Sequence, residues 1–114
     1  MTDEQRYEFY IAGVQHHEAH KVLKELEEGM YLNLNSEPTN KYDPSAVKIE
    51  FYDDAEATML GYVPGKISSR VTAFLFTGDN PICRITELDK EAKPWKQIKV
   101  VIEESGPDLG KEGF

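Results

Sequence analysis

The sequence predicts a single domain that is mainly β with two helices, built as a small antiparallel barrel or sandwich of about six strands. Three observations support this α+β prediction. The chain has 114 residues, which is the size of one domain. Its apolar pattern changes period in the order strand, helix, three strands, helix, two strands. The links between successive strands are short, which favours antiparallel pairing.

The N-terminal part of the chain predicts a strand followed by a helix. Residues 7–14 are aromatic and β-branched, which is typical of a strand, and Gly13 near their end indicates a bulge or a close backbone approach. Residues 17–28 predict a helix, with Gly29 as its stop. Four apolar residues of this helix fall on one stripe: Ala19, Val22, Leu23 and Leu26.

The rest of the chain predicts five more strands and one more helix. The strands are segments of alternating or β-branched residues, over 30–34, 46–52, 58–63, 82–88 and 95–102. The helix is predicted over 67–76, because Ile67, Val71 and Phe74 fall on one side. Residues 103–114 contain three Gly and one Pro, and we expect them to form a flexible acidic tail.

Composition limits where the protein works. A single cysteine excludes an internal disulfide and favours a reducing compartment. No stretch approaches the ~20 apolar residues of a membrane span, so we expect no membrane partner. The first residues are acidic and polar, unlike a signal peptide. We therefore expect a soluble cytoplasmic protein.

The net charge of −8 argues against a nucleic-acid partner, because phosphate contacts need Lys and Arg. The charges are unevenly distributed. Residues 57–102 contain four acidic and seven basic residues, so the middle of the chain could present a basic face. The acidic remainder leaves a basic protein partner as an alternative.

The loop within residues 34–48 is the strongest candidate for a binding site. Pro38 and Pro44 restrict both ends of the loop, and a strand follows it directly. Functional groups on a loop above a stiff scaffold are typical of binding sites. The loop offers an amide, a phenol and a carboxylate, from Asn40, Tyr42 and Asp43. The same residue types also build turns, and the two roles can coexist.

Other chemistry-bearing residues predict structural roles. His16 and His20 would share a helix face, but a structural zinc site needs four ligands, so we predict a polar helix start and no metal or cofactor. Cys83 lies in an apolar strand and is predicted to be a small buried side chain. No nucleophile motif or phosphate-binding glycine loop is present, and we predict no catalytic activity.

One segment near the C-terminus mixes bases with an aromatic. On the predicted last strand, Trp95, Gln97 and Lys99 would share one face. Trp95 is then either a stacking platform for a base or a residue that packs in the core or at an edge.

Two motifs taken together resemble the HIRAN domain. They are Leu34-x-x-Glu37-Pro38-x-Asn40-x-Tyr42-Asp43-Pro44-x-Ala46-Val47 and, after a strand, Leu60-Gly61-Tyr62-Val63-Pro64. Ala12-Gly13-Val14 fits the start of that domain, and the resemblance spans roughly residues 9–102. It implies a modified OB-like β-barrel with two helices, which we place at residues 7–102. HIRAN domains occur at the front of fork-remodelling DNA translocases, where they bind single-stranded DNA and capture a free 3′ end. The chain looks like the stand-alone bacterial and phage versions.

The resemblance also implies roles for individual residues. Asp43 would accept a hydrogen bond from a terminal 3′-hydroxyl, whereas an internal phosphodiester would place negative charge against it. The residues implied in nucleic-acid binding are Tyr10 and Tyr42 for stacking, Asn40 for the loop, Asp43 and Tyr62 at the site, and Lys66 and Arg70 for phosphates.

Two positions depart from the family pattern. DNA-binding members have an arginine where this chain has Phe9, and often a basic residue where it has Gly65, with Lys66 one position on. We therefore expect less positive charge in the binding groove. The predicted function is binding of single-stranded DNA, with preference for a free 3′-hydroxyl end, in DNA repair, replication or phage DNA metabolism. The alternative is a non-catalytic protein-interaction or regulatory module whose acidic surface binds a basic protein. The oligomeric state, and the choice between DNA and RNA, stay open.

Overall fold

Residues 6–54, 56–78 and 80–105 are described by a computed structural model. They form six strands, two α-helices and three 3₁₀ helices, which confirms the predicted α+β class. The strands are β1 Arg6–Tyr10, β2 Tyr31–Ser36, β3 Val47–Asp53, β4 Glu56–Tyr62, β5 Pro81–Leu88 and β6 Ile98–Glu104. The α-helices are α1 Ala19–Val22 and α2 Gly65–Thr77, and the 3₁₀ helices are Val14–His16, Leu23–Glu25 and Pro94–Lys96.

The six strands form one antiparallel sheet in the order β1-β6-β5-β2-β3-β4. The sheet curls until its two edges meet just beyond β1. There the Ala12 N–H donates to the Tyr62 carbonyl at 2.8 Å, and the Tyr62 N–H donates to the Ala12 carbonyl at 2.9 Å. Within the described ranges the edges meet at this one bridge and do not pair along their length. We call this junction of Ala12 with Tyr62 the seam, and the OB-like barrel is open along it.

Gly61 allows this approach of β1 and β4. A Cβ atom at this position would lie 2.4 Å from the Ala12 carbonyl oxygen and 2.7 Å from Cγ2 of Ile11. Such contacts are too short for any side chain, and the obstacle at Ala12 is backbone. The two edges can therefore come this close only if the second residue of the Leu-Gly-Tyr-Val-Pro motif is a glycine.

The core fills the inside of the curled sheet and is covered by α2. The strands contribute alternate apolar residues, and α2 contributes Val71 and Phe74, whose ring lies 5.9 Å from that of Tyr7. The large side chains that are almost wholly buried are Ile11, Leu26, Ile49, Leu60, Ile85, Ile98 and Ile102. Cys83 is also buried, as predicted, and burial raises the pKa of its thiol to about 12. A thiol in this state is a poor nucleophile.

The first predicted helix is wrong in its length. Residues 17–28 contain one α-helical turn, α1, followed by the 3₁₀ helix Leu23–Glu25. Leu26 leaves the helix in an extended conformation and is fully buried. A short helix is marginal on its own, so burial of Leu26 decides the backbone path here. The pair His16 and His20 is thus divided between two separate short helices.

The start of the last strand is also corrected. Pro94 opens a 3₁₀ helix that ends at Lys96, and β6 begins only at Ile98. Trp95 and Lys99 therefore do not share a strand face, and Trp95 is 50% exposed. At the other end, β6 includes the first two residues of the predicted tail, while residues 106–114 lie outside the described residues. No helix in the described part of the chain is long and apolar enough to cross a membrane.

Candidate functional site

A surface cavity of about 260 Å³ lies where the β2–β3 loop meets the end of β4 and the start of α2. Four segments contribute to its wall, and the residues that line it are Ala12, Gly13, Asn40, Tyr42, Asp43, Ala46, Tyr62, Val63 and Gly65. The structure thereby brings together four of the seven residues predicted from the sequence. They are Asn40, Tyr42, Asp43 and Tyr62.

Asn40 organises the loop. Its Oδ1 accepts hydrogen bonds from the backbone N–H groups of Tyr42 at 2.8 Å and Asp43 at 3.0 Å. Its Nδ2 donates to Oε1 of Glu37 at 3.0 Å. The Asn40 side chain also lies within hydrogen-bonding reach of the Tyr62 hydroxyl. The turn-building role expected for Asn40 is therefore present, and it orients the next two residues.

Asp43 fastens the loop to α2. Its Oδ1 accepts from the backbone N–H of Ser45 at 2.8 Å, and its Oδ2 accepts from the Ser68 hydroxyl at 2.6 Å. A second tie runs from the Thr72 hydroxyl to the Ser45 carbonyl at 2.8 Å. An ionised carboxylate has about four acceptor positions, so these two bonds leave room for further donors. Asp43 is thus a fixed carboxylate with spare acceptor capacity in a cavity wall.

Tyr62, at the end of β4, forms another part of the cavity wall. Its hydroxyl donates to Oε1 of Glu37 at 2.7 Å, and the His17 ring contacts it edge-on at 5.6 Å. This hydrogen bond to Glu37 raises the pKa of Tyr62. The hydrogen bonds from Asn40 and then from Tyr62 lower the pKa of Glu37. Glu37 is therefore a carboxylate that stays ionised and accepts from both walls.

Tyr42 stands at the rim of the cavity with its side chain 93% exposed. Its contact with Asn40 is made by the backbone, so its position is set while its ring faces solvent. An exposed aromatic ring is the kind of platform on which nucleic-acid bases stack. A ring this exposed contributes little to the stability of the fold, so packing in the core does not explain why an aromatic residue stands here.

Tyr10 lies at a different cavity. That cavity is formed with the end of β5 and the loop before β6, and it contains Lys96. The Tyr10 ring is 37% exposed, and the Lys99 ammonium lies 5.6 Å from its centre. Lys99 also pairs with Glu87 at 3.7 Å. Of the two predicted stacking residues, Tyr42 thus lines the first cavity and Tyr10 lines a separate one.

Lys66 and Arg70 are exposed on α2, immediately beyond the cavity. They are four residues apart, so they lie on one face of the helix. Neither forms an ion pair within the described ranges. Gly65 lines the cavity one residue earlier, and a Cβ atom added there would meet no other atom within 4 Å. The start of α2 therefore carries two exposed cations and space for a third side chain.

Phe9 stands where the sequence resemblance implies an arginine in DNA-binding members. It is 8% exposed, is paired with Val100 across β1 and β6, and belongs to the core. The side chain at this position therefore points into the core and away from the cavity.

Three residues of the site had no role predicted from the sequence. Glu37 was part of the motif, and its spacing of three residues from Asn40 was the signal that could have connected them. Ser68 and Thr72 are ordinary helix residues in the sequence. Their contacts with the loop span at least 25 residues of chain, so no local pattern indicates them.

Comparisons with known proteins agree with this architecture. A family model described as HIRAN domain matches residues 5–104. A crystal structure of a protein from Lactobacillus plantarum superposes with a TM-score of 0.67 at 19% identity, covering 89% of this chain and 97% of that one. The crystal structure of the HIRAN domain of human HLTF superposes with a TM-score of 0.61 at 11% identity, covering 96% of this chain and 89% of that one. No curated protein matches the chain by sequence. At these identities the two structures show the shared fold.

Proposed function

The chain belongs to the HIRAN domain family, whose members are nucleic-acid-binding modules, and on this premise we propose that it binds single-stranded DNA with preference for a free 3′-hydroxyl end. The observation that carries the proposal is the fixed carboxylate of Asp43 in the cavity wall. The proposed setting is DNA repair, replication or phage DNA metabolism.

Asp43 supplies selectivity for the end of a strand. Its remaining acceptor positions suit a hydroxyl, which is a hydrogen-bond donor. A phosphate group at the same place would bring negative charge against the carboxylate. Hydrogen bonds to charged groups contribute about 1.5–3 kcal/mol, so one such bond can separate the two kinds of end by about tenfold or more. Because Ser45 and Ser68 already hold the carboxylate, little ordering is needed when the strand arrives.

Tyr42 and α2 supply affinity. Stacking of the terminal base on Tyr42 would contribute ~1–3 kcal/mol. Lys66 and Arg70 lie on the exposed face of α2 and are available to the phosphates that follow the terminal nucleotide. The same contacts explain how a chain of net charge −8 can bind a polyanion. Two local cations and a stacking platform act at short range, where the distant acidic residues are screened by salt.

The proposal is tested by comparing two proteins, each with two ligands that differ only at the 3′ end. Fluorescence anisotropy would measure binding of one short single strand, ended by a 3′-hydroxyl or by a 3′-phosphate, to the wild type and to Asp43→Asn. Asparagine keeps the size of the side chain and removes its charge. We expect the preference for the hydroxyl end to fall by about tenfold in the variant.

The matched control is Ser68→Ala, which removes the tie between Asp43 and α2 but keeps the carboxylate. We expect this variant to keep most of the preference for the hydroxyl end, because the carboxylate keeps its charge and its bond from the Ser45 N–H. An unchanged preference in Asp43→Asn, with both proteins folded, would contradict the role of Asp43.

The net charge supports a second candidate function, a non-catalytic module that binds a basic protein. The two candidates differ in their response to salt. A strand that contacts several phosphate-binding side chains loses affinity with a slope of about −0.7 per contact on a logarithmic plot. Absence of any strand binding at low salt would favour the protein partner.

A further inference from the structure

We propose that Glu37 is the positioning residue of this cavity, because one carboxylate oxygen holds the Asn40 loop and the Tyr62 ring at a fixed separation. The inference rests on the proposed function for its ligand. It adds a residue to which neither the family match nor the sequence motif assigns a role.

The geometry behind the inference is a shared acceptor. Oε1 of Glu37 accepts from Nδ2 of Asn40 at 3.0 Å and from the Tyr62 hydroxyl at 2.7 Å. Asn40 belongs to the β2–β3 loop and Tyr62 ends β4, so the two donors come from different elements that both line the cavity. Glu37 does not line the cavity. It connects two residues that do, Asn40 and Tyr62.

The backbone of Glu37 is fixed independently of its side chain. Its N–H donates to the Ala46 carbonyl at 2.9 Å, and its carbonyl accepts from the Asn40 N–H at 3.0 Å. The second carboxylate oxygen faces the Lys48 ammonium at 3.9 Å, and His17 lies near enough to act on the same charge. One carboxylate oxygen is therefore held by two hydrogen bonds and the other lies beside a cation, and the hydrogen bonds from Asn40 and Tyr62 lower the pKa of Glu37 so that it stays ionised.

The effect on the ligand passes through Asn40. The same amide that donates to Glu37 orients the N–H groups of Tyr42 and Asp43 through its Oδ1. Without Glu37 the amide keeps the two bonds to its Oδ1 but loses the bond that ties its Nδ2 to the strand side, so the stacking ring and the acceptor carboxylate are held less tightly relative to Tyr62. Glu37 thus acts on selectivity between strand ends without touching the strand.

The test uses Glu37→Gln and Glu37→Ala, with Glu50→Gln as the matched control. Glu50 is also paired with Lys48, at 3.6 Å, but its other bond is to Asn35, outside the cavity. Anisotropy would measure the ratio of affinities for hydroxyl-ended and phosphate-ended strands. We expect the ratio to fall by about 5-fold in Glu37→Ala, less in Glu37→Gln, and not at all in Glu50→Gln. If the wild type prefers the hydroxyl end and the ratio is unchanged in Glu37→Ala, the inference is overturned while the proposed function stands.

A second readout needs no DNA and separates the failure of this inference from failure of the proposed function. Carbon NMR of the tyrosine Cζ atoms would follow the titration of Tyr62, assigned with Tyr62→Phe. Glu37→Gln should lower the pKa of Tyr62 towards its ordinary value, since the bond to Glu37 raises it. An unmoved Tyr62 titration would overturn the positioning role whatever the protein binds. A shifted titration in a protein without end preference would support the positioning and contradict the proposed ligand.

Discussion

The seam between β1 and β4 makes Gly61 sensitive to even a minimal substitution. Gly61→Ala adds one methyl group, 2.4 Å from the Ala12 carbonyl oxygen and 2.7 Å from Cγ2 of Ile11. The strands must separate to accept it. Separation breaks the two backbone hydrogen bonds between Ala12 and Tyr62, which measure 2.8 and 2.9 Å.

The cost follows from these contacts. Two backbone hydrogen bonds contribute about 1–3 kcal/mol together, and overpacking adds about 1–3 kcal/mol. After partial relaxation we expect Gly61→Ala to lower the free energy of unfolding by about 2–4 kcal/mol. For a domain of this size that is a loss of roughly 10–20 °C in Tm. The variant should still fold, because small domains have about 5–15 kcal/mol of stability.

The assay is urea and thermal unfolding, with hydrogen exchange at the Ala12 and Tyr62 amides as a local readout. Gly65→Ala is the matched control, because a Cβ there meets nothing within 4 Å. We expect its stability to stay within about 0.5 kcal/mol of the wild type. Equal stabilities of the two variants, or unchanged exchange at Ala12 in Gly61→Ala, would refute the seam as described.

Three further predictions concern binding and pH. Tyr42→Ala should weaken binding of a short single strand by ~1–3 kcal/mol in anisotropy; its urea stability should change by less than about 0.5 kcal/mol, because the ring is 93% exposed. Gly65→Lys should tighten binding at low salt and steepen the salt slope by about 0.7, the value for one added phosphate contact, and an unchanged slope would contradict it. The lowered pKa of Glu37 stabilises the fold above its ordinary value of 4.5, and that stability is lost as pH falls through the folded-state pKa. As pH is lowered, the free energy of unfolding in urea should therefore fall more steeply for the wild type than for Glu37→Gln. Parallel curves for the two proteins would contradict the lowered pKa of Glu37.

The strands were predictable because their signal is local. In β3, Val47 and Ile49 are buried, as the alternation in the sequence requires. The helix α2 was predicted for the same reason, with Val71 and Phe74 facing the core. A bulge or close backbone approach was predicted at Gly13, next to the bridge at Ala12, but the need for Gly61 was not, since the carbonyl that excludes a side chain there belongs to a distant residue.

The first helix and Trp95 show where local pattern fails. The stripe from Ala19 to Leu26 is helical in the sequence, yet Leu26 reaches the core in an extended conformation. Packing against the sheet overrides the helical preference of so short a segment. Trp95 alternates as a strand residue would, but Pro94 starts a 3₁₀ helix there.

The sequence predicted which residues belong to the site better than it predicted where they lie in the fold. The loop motif identified Asn40, Tyr42 and Asp43, which the fold gathers at one cavity. It did not separate Tyr10 from them, because the place where β1 ends depends on its pairing with β6. The tie from Asp43 to Ser68 also lay beyond sequence reasoning, since it joins residues 25 apart.

The central claim is tested most directly by the anisotropy of the wild-type protein with one labelled short single strand, carrying either a 3′-hydroxyl or a 3′-phosphate, at low salt. We predict binding of the hydroxyl-ended strand that is tighter by about tenfold or more, because Asp43 accepts from the hydroxyl and repels the phosphate. Equal affinity for the two ends would contradict end recognition by Asp43. Binding of neither strand would contradict the nucleic-acid site and favour a basic protein partner.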